Sequence, residues 1–396
     1  MSLRPEADPG AYPTDGYPVW EDGAWTPLPT IAGAHQTASC VIGLGGSGLT
    51  AVDLLLSRGE SVVALDGADV GAGAAGRNGG FLLAGCAEFY HDAIARHGAR
   101  LAGQLYEDTL AEMDRLCAAV PDAVRRVGSK RLAASASEIV DCRAHHDALV
   151  ADGWPVEWYE GADGIGIFLP TDGAFNPLRR CRLQARALLD RGAHLFGRSP
   201  VTAIEASGAG VTVRTAAATI VARRVFVAVD GGLERIFPEL QGRVRTARLQ
   251  MVASAPTTEV TIPCPVYYRY GYEYWQQGPD GSVALGGFRD QGGEAEWTLD
   301  ASPAAPVQPL LEGFLREQVG VSGPITHRWA GRVAFTPDGL PVIEEVRPGV
   351  WALGGYCGTG NLMGALAARA AVAAALDGDL TPGQRMLGAA WGLRAH

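Results

Sequence analysis

Gly43-Leu44-Gly45-Gly46-Ser47-Gly48 lies between two apolar stretches, Ala38 to Ile42 and Leu49 to Arg58. A third stretch, Ser61 to Leu65, ends on Asp66. The order reads as strand, glycine turn, helix, second strand and terminal acid. Each part has a physical job. Gly43 permits the tight turn, Gly45 lets a pyrophosphate approach bare backbone, and Gly48 lets the helix lie close to the sheet. The helix start offers unpaired amides and a positive dipole end to phosphates. Asp66 stands where a carboxylate accepts ribose hydroxyls, about 20 residues after the turn. The ordered set specifies a dinucleotide site, which a lone glycine triplet would not.

Composition limits the rest. The chain has 396 residues, 47% hydrophobic and 19% charged, enough for two globular domains. Net charge is −10, and no lysine–arginine cluster tracks a phosphate backbone, so nucleic acid is not an expected partner. Lys130 is the single lysine. The seven cysteines are scattered, with no C-x-x-C pair and no zinc-ligand spacing; we expect no metal and a reducing, cytoplasmic setting. No basic segment followed by an apolar core opens the chain, so no signal peptide is expected. Gly364 to Leu376 is alanine-rich and interrupted by Arg369, a buried helix rather than a membrane span.

Further along, residues 1–37 read as an extended leader draped on the surface through Tyr17, Trp20 and Trp25. Gly71 to Gly80 is a second glycine-rich loop. Asp92 to Val120 reads as one long amphipathic helix, and Pro177 to Arg191 as another that opens on proline. Strands are expected at Val201 to Ala206, Gly210 to Thr215 and Arg224 to Val229, the last a continuous apolar run suited to a central parallel position. Arg248 to Phe288 is β-rich, with a turn at Pro279-Asp280-Gly281. Val350 to Leu353, the glycine turn 354–360 and a helix from about Asn361 to Leu376 form a closing strand-turn-helix. Two such units from opposite ends can converge on one extended cofactor.

Together these motifs resemble the FAD-dependent amine and amino-acid oxidoreductases related to D-amino-acid oxidase, glycine oxidase and sarcosine oxidase. The resemblance rests on Gly43 to Gly48, Gly76 to Gly80, Trp329-Ala330-Gly331, Thr336 to Pro341 and the turn at 354–360, and covers about residues 38–380. Tyr17 to Asp22 and Phe335 to Pro341 look like γ-glutamylputrescine-oxidase-type members. The resemblance implies an α/β fold: a discontinuous Rossmann-like FAD-binding domain (38–120, 170–240, 333–396) and a second, mainly antiparallel β substrate domain (121–169, 241–332). By carry-over, Gly43, Gly45, Ser47 and Gly48, with Gly46, would hold the pyrophosphate of FAD, and Asp66, with Gly67, its adenosine ribose. Arg77, Asn78, Gly79 and Gly80 would pass beneath the flavin side. Val201 would meet adenine through its backbone, with Ala228 beside the nucleotide. Gly355, Gly358, Thr359, Gly360, Asn361 and Leu362 would meet the isoalloxazine.

Two departures narrow the expectation. The cysteine that binds flavin covalently in monomeric sarcosine oxidases aligns with Gly331, so FAD is expected to be non-covalent. The arginine that clamps the substrate carboxylate in glycine oxidase aligns with Val333, with Arg332 one step away on the opposite strand face. This favours a substrate whose reacting amine is not beside a carboxylate. The expected reaction is hydride transfer from an amine C–H to FAD, hydrolysis of the imine, and reoxidation by oxygen or another acceptor. Tyr267 to Trp275, read as one strand, places Tyr270 and Tyr272 on one face and Glu273 on the other. Tyr270, Tyr272, Glu273 and Arg332 are the catalytic candidates, and Arg289 a candidate oxygen-activating cation. A nicotinamide-dependent dehydrogenase and a flavin-bound scaffold without turnover are the competing readings.

Overall fold

The structure is a computed structural model that describes residues 16–208, 210–389 and 391. The strand opened by the glycine turn runs Gly33–Ile42, so part of the expected leader is already sheet. It pairs in parallel on both sides, with Cys40 opposite Val225 in one neighbour and Val63 in the other. Being covered on both faces, its last six residues are all buried, which is why they read as continuous apolar sequence. The first sheet runs in the order 201–207, 210–215, 218–227, 33–42, 62–65 and 194–196. Val350–Gly354 adds in parallel beside 218–227 and carries Val342–Arg347 antiparallel.

The second sheet runs 325–335, 245–254, 283–286, 273–277, 266–268, 129–132, 164–169 and 157–161. It is antiparallel except where Val266–Tyr268 pairs with Ser129–Leu132. This is the α/β arrangement with a mainly antiparallel second sheet that the sequence implied.

Two helices from distant parts of the chain, Gly46–Ser57 and Gly360–Val372, share one core, in which Val52 and Leu55 join Ala367 and Ala371. The expected long helix is two, Tyr90–His97 and Ala99–Ala119, because Gly98 between them takes φ +85°. Trp20 is not draped on the surface. It is buried, its ring packs edge-on against Trp329 with centroids 6.4 Å apart, and its Nε1 donates to the Asn78 carbonyl at 2.9 Å. Among the described residues no helix is long and apolar enough to cross a membrane.

Asp172 shows how a buried charge enters this fold. Its carboxylate accepts from Ser129 Oγ at 2.6 Å and from the Ala84 amide at 3.1 Å, tying two segments together. Burial pushes its pKa up to about 6, against the pull of those two bonds. A raised carboxyl pKa makes the native state hold a proton that the unfolded chain has lost. Its contribution to stability is therefore fully present below the ordinary aspartate value and lost as pH rises through about 6. Asp172→Asn keeps an acceptor for Ala84 and removes the charge. We expect the variant to be more stable than the parent at pH 8 by about 1–3 kcal/mol. The advantage should vanish near pH 4, as read from urea midpoints; an equal difference at both pH values would refute it.

Candidate functional site

The glycines of the first turn are constrained by backbone, not by habit. A Cβ on Gly48 would lie 1.8 Å from the Gly43 carbonyl oxygen, and one on Gly43, at φ +104°, 2.6 Å from that of Ala228. The helix that follows has neither a side-chain cap nor an acid in its first turn, so its leading amides are open to an anion. Gly45, extended just before it, faces Ala75 across a gap that a Cβ would reduce to 3.1 Å. Asp66 accepts from the Leu44 amide at 2.9 Å and the Ala68 amide at 2.8 Å, and burial pushes its carboxyl above the ordinary range. Ser199 donates its amide to the Asp66 carbonyl at 2.9 Å, which brings the start of Val201–Ser207 to Asp66 and Gly67. Ala228 donates to the Ile42 carbonyl at 2.8 Å, beside Gly43.

One residue here is absent from the sequence reading. Arg180, 1% exposed, lays its guanidinium over Gly46, where an added Cβ would be 2.2 Å from Nη1. Among the described residues its guanidinium has a polar contact with Cys181 Sγ at 4.0 Å, and Nε has no partner. A buried cation at a helix start, where the backbone already presents positive charge, is complete only with an anion. The orphaned guanidinium, the uncapped helix and the glycine backbone fit a bound pyrophosphate. Nothing in Arg179-Arg180-Cys181-Arg182 separates this arginine from the exposed Arg179 or from Arg182, which pairs with Glu21; its only signal is tertiary.

The second glycine loop is held rigidly. Arg77 donates from Nη1 to the Gly16 carbonyl at 2.7 Å and the Ala330 carbonyl at 3.2 Å, and from Nε to the Ala72 carbonyl at 2.9 Å. Trp329 Nε1 in turn donates to the Arg77 carbonyl at 2.8 Å. Asn78 Nδ2 donates to Asn361 Oδ1 at 3.1 Å, and Asn361 Nδ2 to the Phe81 carbonyl at 3.0 Å. Gly80, at φ +71°, has room for no Cβ against the Phe175 carbonyl, 2.2 Å away, and the Gly79 position is closed by the Tyr274 ring at 2.9 Å.

The far end of the chain closes onto this. Tyr356 Oη donates to Ser47 Oγ at 2.9 Å across 309 residues. Asp230 gathers the closing turn: its Oδ1 accepts from the Gly355 amide at 2.9 Å and the Tyr356 amide at 3.2 Å, its Oδ2 from the Ala334 amide at 3.3 Å. Burial pushes its pKa up to about 6. Thr359 then caps Gly360–Val372 without a side-chain bond to the helix, leaving a second set of open amides. Sequence reading did not single out Asp230, because its role is to accept from residues more than a hundred positions away.

Between the sheets lies a cavity of about 430 Å³. Asn78, Gly79, Gly358, Thr359, Asn361 and Leu362 line one part of it, and Phe89, Arg131, Tyr267, Tyr270, Tyr272 and Tyr274 another. The tyrosine segment is not one strand. Val266–Tyr268 and Glu273–Gln277 pair antiparallel around a tight turn at 269–271, where Arg269 and Tyr270 also take positive φ. The alternation expected of a single strand is lost: Tyr267 and Tyr274, which one continuous strand would turn to opposite faces, sit opposite each other in register. Their ring centroids are 6.0 Å apart, and Phe81 lies 5.0 Å from one and 6.0 Å from the other. Burial pushes the Tyr267 hydroxyl up to about 12 and that of Tyr274 upward as well.

The four catalytic candidates separate. Tyr270 and Tyr272 line the cavity, though Tyr270 also donates its hydroxyl to Asp141 at 2.7 Å. Glu273 does not line it. The residue is 1% exposed and its carboxylate is taken by Arg269, which donates Nε at 2.8 Å and also pairs with Asp290. Arg332 is exposed and outside the lining, since the strand alternation that turns Gly331 and Val333 inward turns it away. Arg289 does line the cavity, stacked between Trp297 at 5.1 Å and Phe335 at 4.7 Å.

The helix start at Thr359 lines this cavity, and the Tyr356–Ser47 bond ties the helix start at Gly46 to it. The model of the FAD dependent oxidoreductase family matches residues 39–374. The chain belongs to the FAD-dependent oxidoreductase family. It is similar to the γ-glutamylputrescine oxidoreductase of Escherichia coli, 25% identical over 403 residues, covering 92% of this chain and 89% of that one. It is also similar to the probable oxidoreductase OrdL of Haemophilus influenzae, 23% identical, covering 89% of this chain and 85% of that one. Glycine oxidase from Geobacillus kaustophilus shares the fold, with a TM-score of 0.71 at 19% identity over 88% of this chain and 98% of that one. In this FAD-dependent oxidoreductase the Gly43 turn and the closing turn before Thr359 are brought together by the Tyr356–Ser47 bond.

Proposed function

We propose that this oxidoreductase oxidises the C–N bond of an amine or N-substituted amino acid, with non-covalent FAD and with oxygen as acceptor in the cytoplasm. The observation that carries the reading is the Tyr356–Ser47 contact, which joins two anion-accepting helix starts beside an aromatic cavity. When bound, FAD supplies the chemistry by accepting a hydride from the carbon next to the substrate nitrogen. The chain's residues do the rest. The amides of Gly45, Gly46 and Ser47, with Arg180, would hold the pyrophosphate, and Asp66 and Gly67 the ribose. Val201 and Ala228 would flank the nucleotide. Arg77, Asn78, Gly79 and Gly80, with Gly355, Gly358, Thr359, Gly360, Asn361 and Leu362, would frame the ring system. The second helix start favours negative charge on what it faces.

The wall of Phe81, Tyr267 and Tyr274 desolvates an incoming amine. Desolvation disfavours the ammonium and so exposes the nitrogen lone pair that drives hydride loss. No cysteine stands at Gly331, and Cys357, which does line the cavity, is a poor nucleophile. Burial pushes its thiol pKa up, and its sulfur accepts from the Thr336 amide at 3.4 Å.

Three measurements test this. The purified protein should carry a flavin spectrum. Acid precipitation should release all the colour into the supernatant, whereas colour retained in the pellet would refute non-covalent binding. Anaerobic addition of a panel of primary, secondary and N-methyl amines should bleach the flavin, and admitted air should restore it with one hydrogen peroxide per turnover. A flavin-loaded protein bleached by none of them is not an amine oxidoreductase.

A further inference from the structure

In the strand Ser129–Leu132 only Lys130 is not buried. Lys130 turns outward, to Asp163 at 2.8 Å and Tyr159 at 2.6 Å. Arg131 turns inward, 9% exposed, and lines the 430 Å³ cavity. Its guanidinium lies against two rings, Phe89 at 5.4 Å and Tyr267 at 5.6 Å. Among the described residues Nε has no hydrogen-bond partner, and no carboxylate pairs with the group. Arg248, also buried, behaves otherwise: its guanidinium is met by Glu296 at 3.0 and 2.8 Å. The charge of Arg131 is felt by the buried carboxylate of Asp172, but that carboxylate's hydrogen bonds go to Ser129 and the Ala84 amide, and none to Arg131. A cation kept dry and unpaired costs stability, and stacking on rings fixes its plane without using its donors. A planar, two-oxygen anion is what such a fork receives.

We propose that Arg131 is the specificity-determining residue of the cavity and receives a carboxylate of the substrate, so that the amine oxidised here is an acid-bearing one. The place is not that of Val333. Arg131 and Val333 lie on strands five positions apart in the sheet order, on the order of 20 Å along it. A side-chain carboxylate and an α-carboxylate both offer this chemistry, and the test separates them. Glu88 and Asp92 line the same cavity and pair elsewhere: Glu88 lies 3.2 Å from His97 and 3.4 Å from Arg96, its Oε2 making no hydrogen bond, and Asp92 lies 3.5 Å from His91. A small cavity of about 10 Å³ also touches Arg131, beside the unpartnered Tyr106 hydroxyl. A single water there is the competing account of the empty Nε.

The inference rests on the cavity being the substrate site. Its test is a binding measurement, independent of whether any amine is oxidised. The flavin-loaded protein and its R131M and R131K variants are titrated with butyrate, glutarate and butyramide at constant ionic strength, reading the visible flavin band and the melting point. Butyrate and glutarate should bind the parent and lose roughly 10- to 100-fold in affinity in R131M. R131K should recover part of the loss, butyramide should distinguish none of the three, and R131M should melt no lower than the parent. Carboxylates that bind parent and R131M alike, or bind neither, overturn the proposal in favour of the water. If they bind through Arg131 but no amine bleaches the flavin, the amine reading fails and Arg131 remains the carboxylate site of the cavity, without an amine substrate. Bleaching rates for alanine, β-alanine and 4-aminobutyrate, each against its decarboxylated amine, then show which carboxylate is read.

Discussion

Arg180→Met is expected to weaken FAD binding about 100-fold while leaving the apoprotein at least as stable as the parent. The two effects have one cause. In the apoprotein the guanidinium is buried over Gly46 with Nε unsatisfied. Removing it relieves an uncompensated charge, worth on the order of 1–3 kcal/mol. With FAD bound, the same group would meet a doubly charged pyrophosphate in a dry setting, where a charge-assisted bond contributes about 3 kcal/mol, or a factor of about 100 in dissociation constant. Methionine keeps most of the volume. The dissociation constant follows from quenching of flavin fluorescence on titrating apoprotein, and the stability from urea unfolding of the same apoprotein. An unchanged dissociation constant removes Arg180 from the cradle, and an apoprotein that unfolds more easily makes it a packing residue.

Gly48→Ala should be more damaging still. The added methyl would stand 1.8 Å from the Gly43 carbonyl oxygen and 3.0 Å from its carbon. Both are main-chain atoms of the turn, so no side chain can swing away. The helix Gly46–Ser57 would have to lift off the sheet, and Val52 and Leu55 would leave a core in which they are fully buried. We expect a loss of about 4 kcal/mol or more, in the range reserved for overpacked or strained sites, and failure to retain FAD. Gly67→Ala is the matched control, since its Cβ would meet only Pro200, at 3.8 Å. It should change stability by less than about 0.5 kcal/mol. Thermal melts with and without added FAD decide both; similar melting points for the two variants would contradict the steric account.

How much of this was legible in the residues depends on how local each signal is. The segment from Ala38 to Asp66 could be read because turn, dipole and terminal acid are properties of consecutive residues. The closing unit 350–372 could be read for the same reason. The tyrosine segment could not: alternation along 267–275 suggests one strand, yet Gly271 sits at φ +82° and turns the chain back. Its neighbours Arg269 and Tyr270 share that left-handed backbone although neither residue type announces it. Glu273 looked available because a charge in a strand pattern carries no mark of its partner Arg269. Arg131 and Arg180 were invisible for the opposite reason. What distinguishes them is a missing partner, and absence of a neighbour is a fact about space, not about order along the chain. Asp230 belongs with them, binding Gly355 and Tyr356 from over 120 positions away.

The bond between Ser47 and Tyr356 has a consequence for biosynthesis. A nascent polypeptide has its first glycine turn ready soon after the first strands leave the ribosome, but the tyrosine that bonds to it is made 309 residues later. Contacts of such separation form late and slowly. The early βαβ unit must therefore wait half-built, with Ala51, Val52 and Leu55 lacking the helix they pack against. Translation pauses or chaperone capture in that interval should therefore alter the yield of folded molecules.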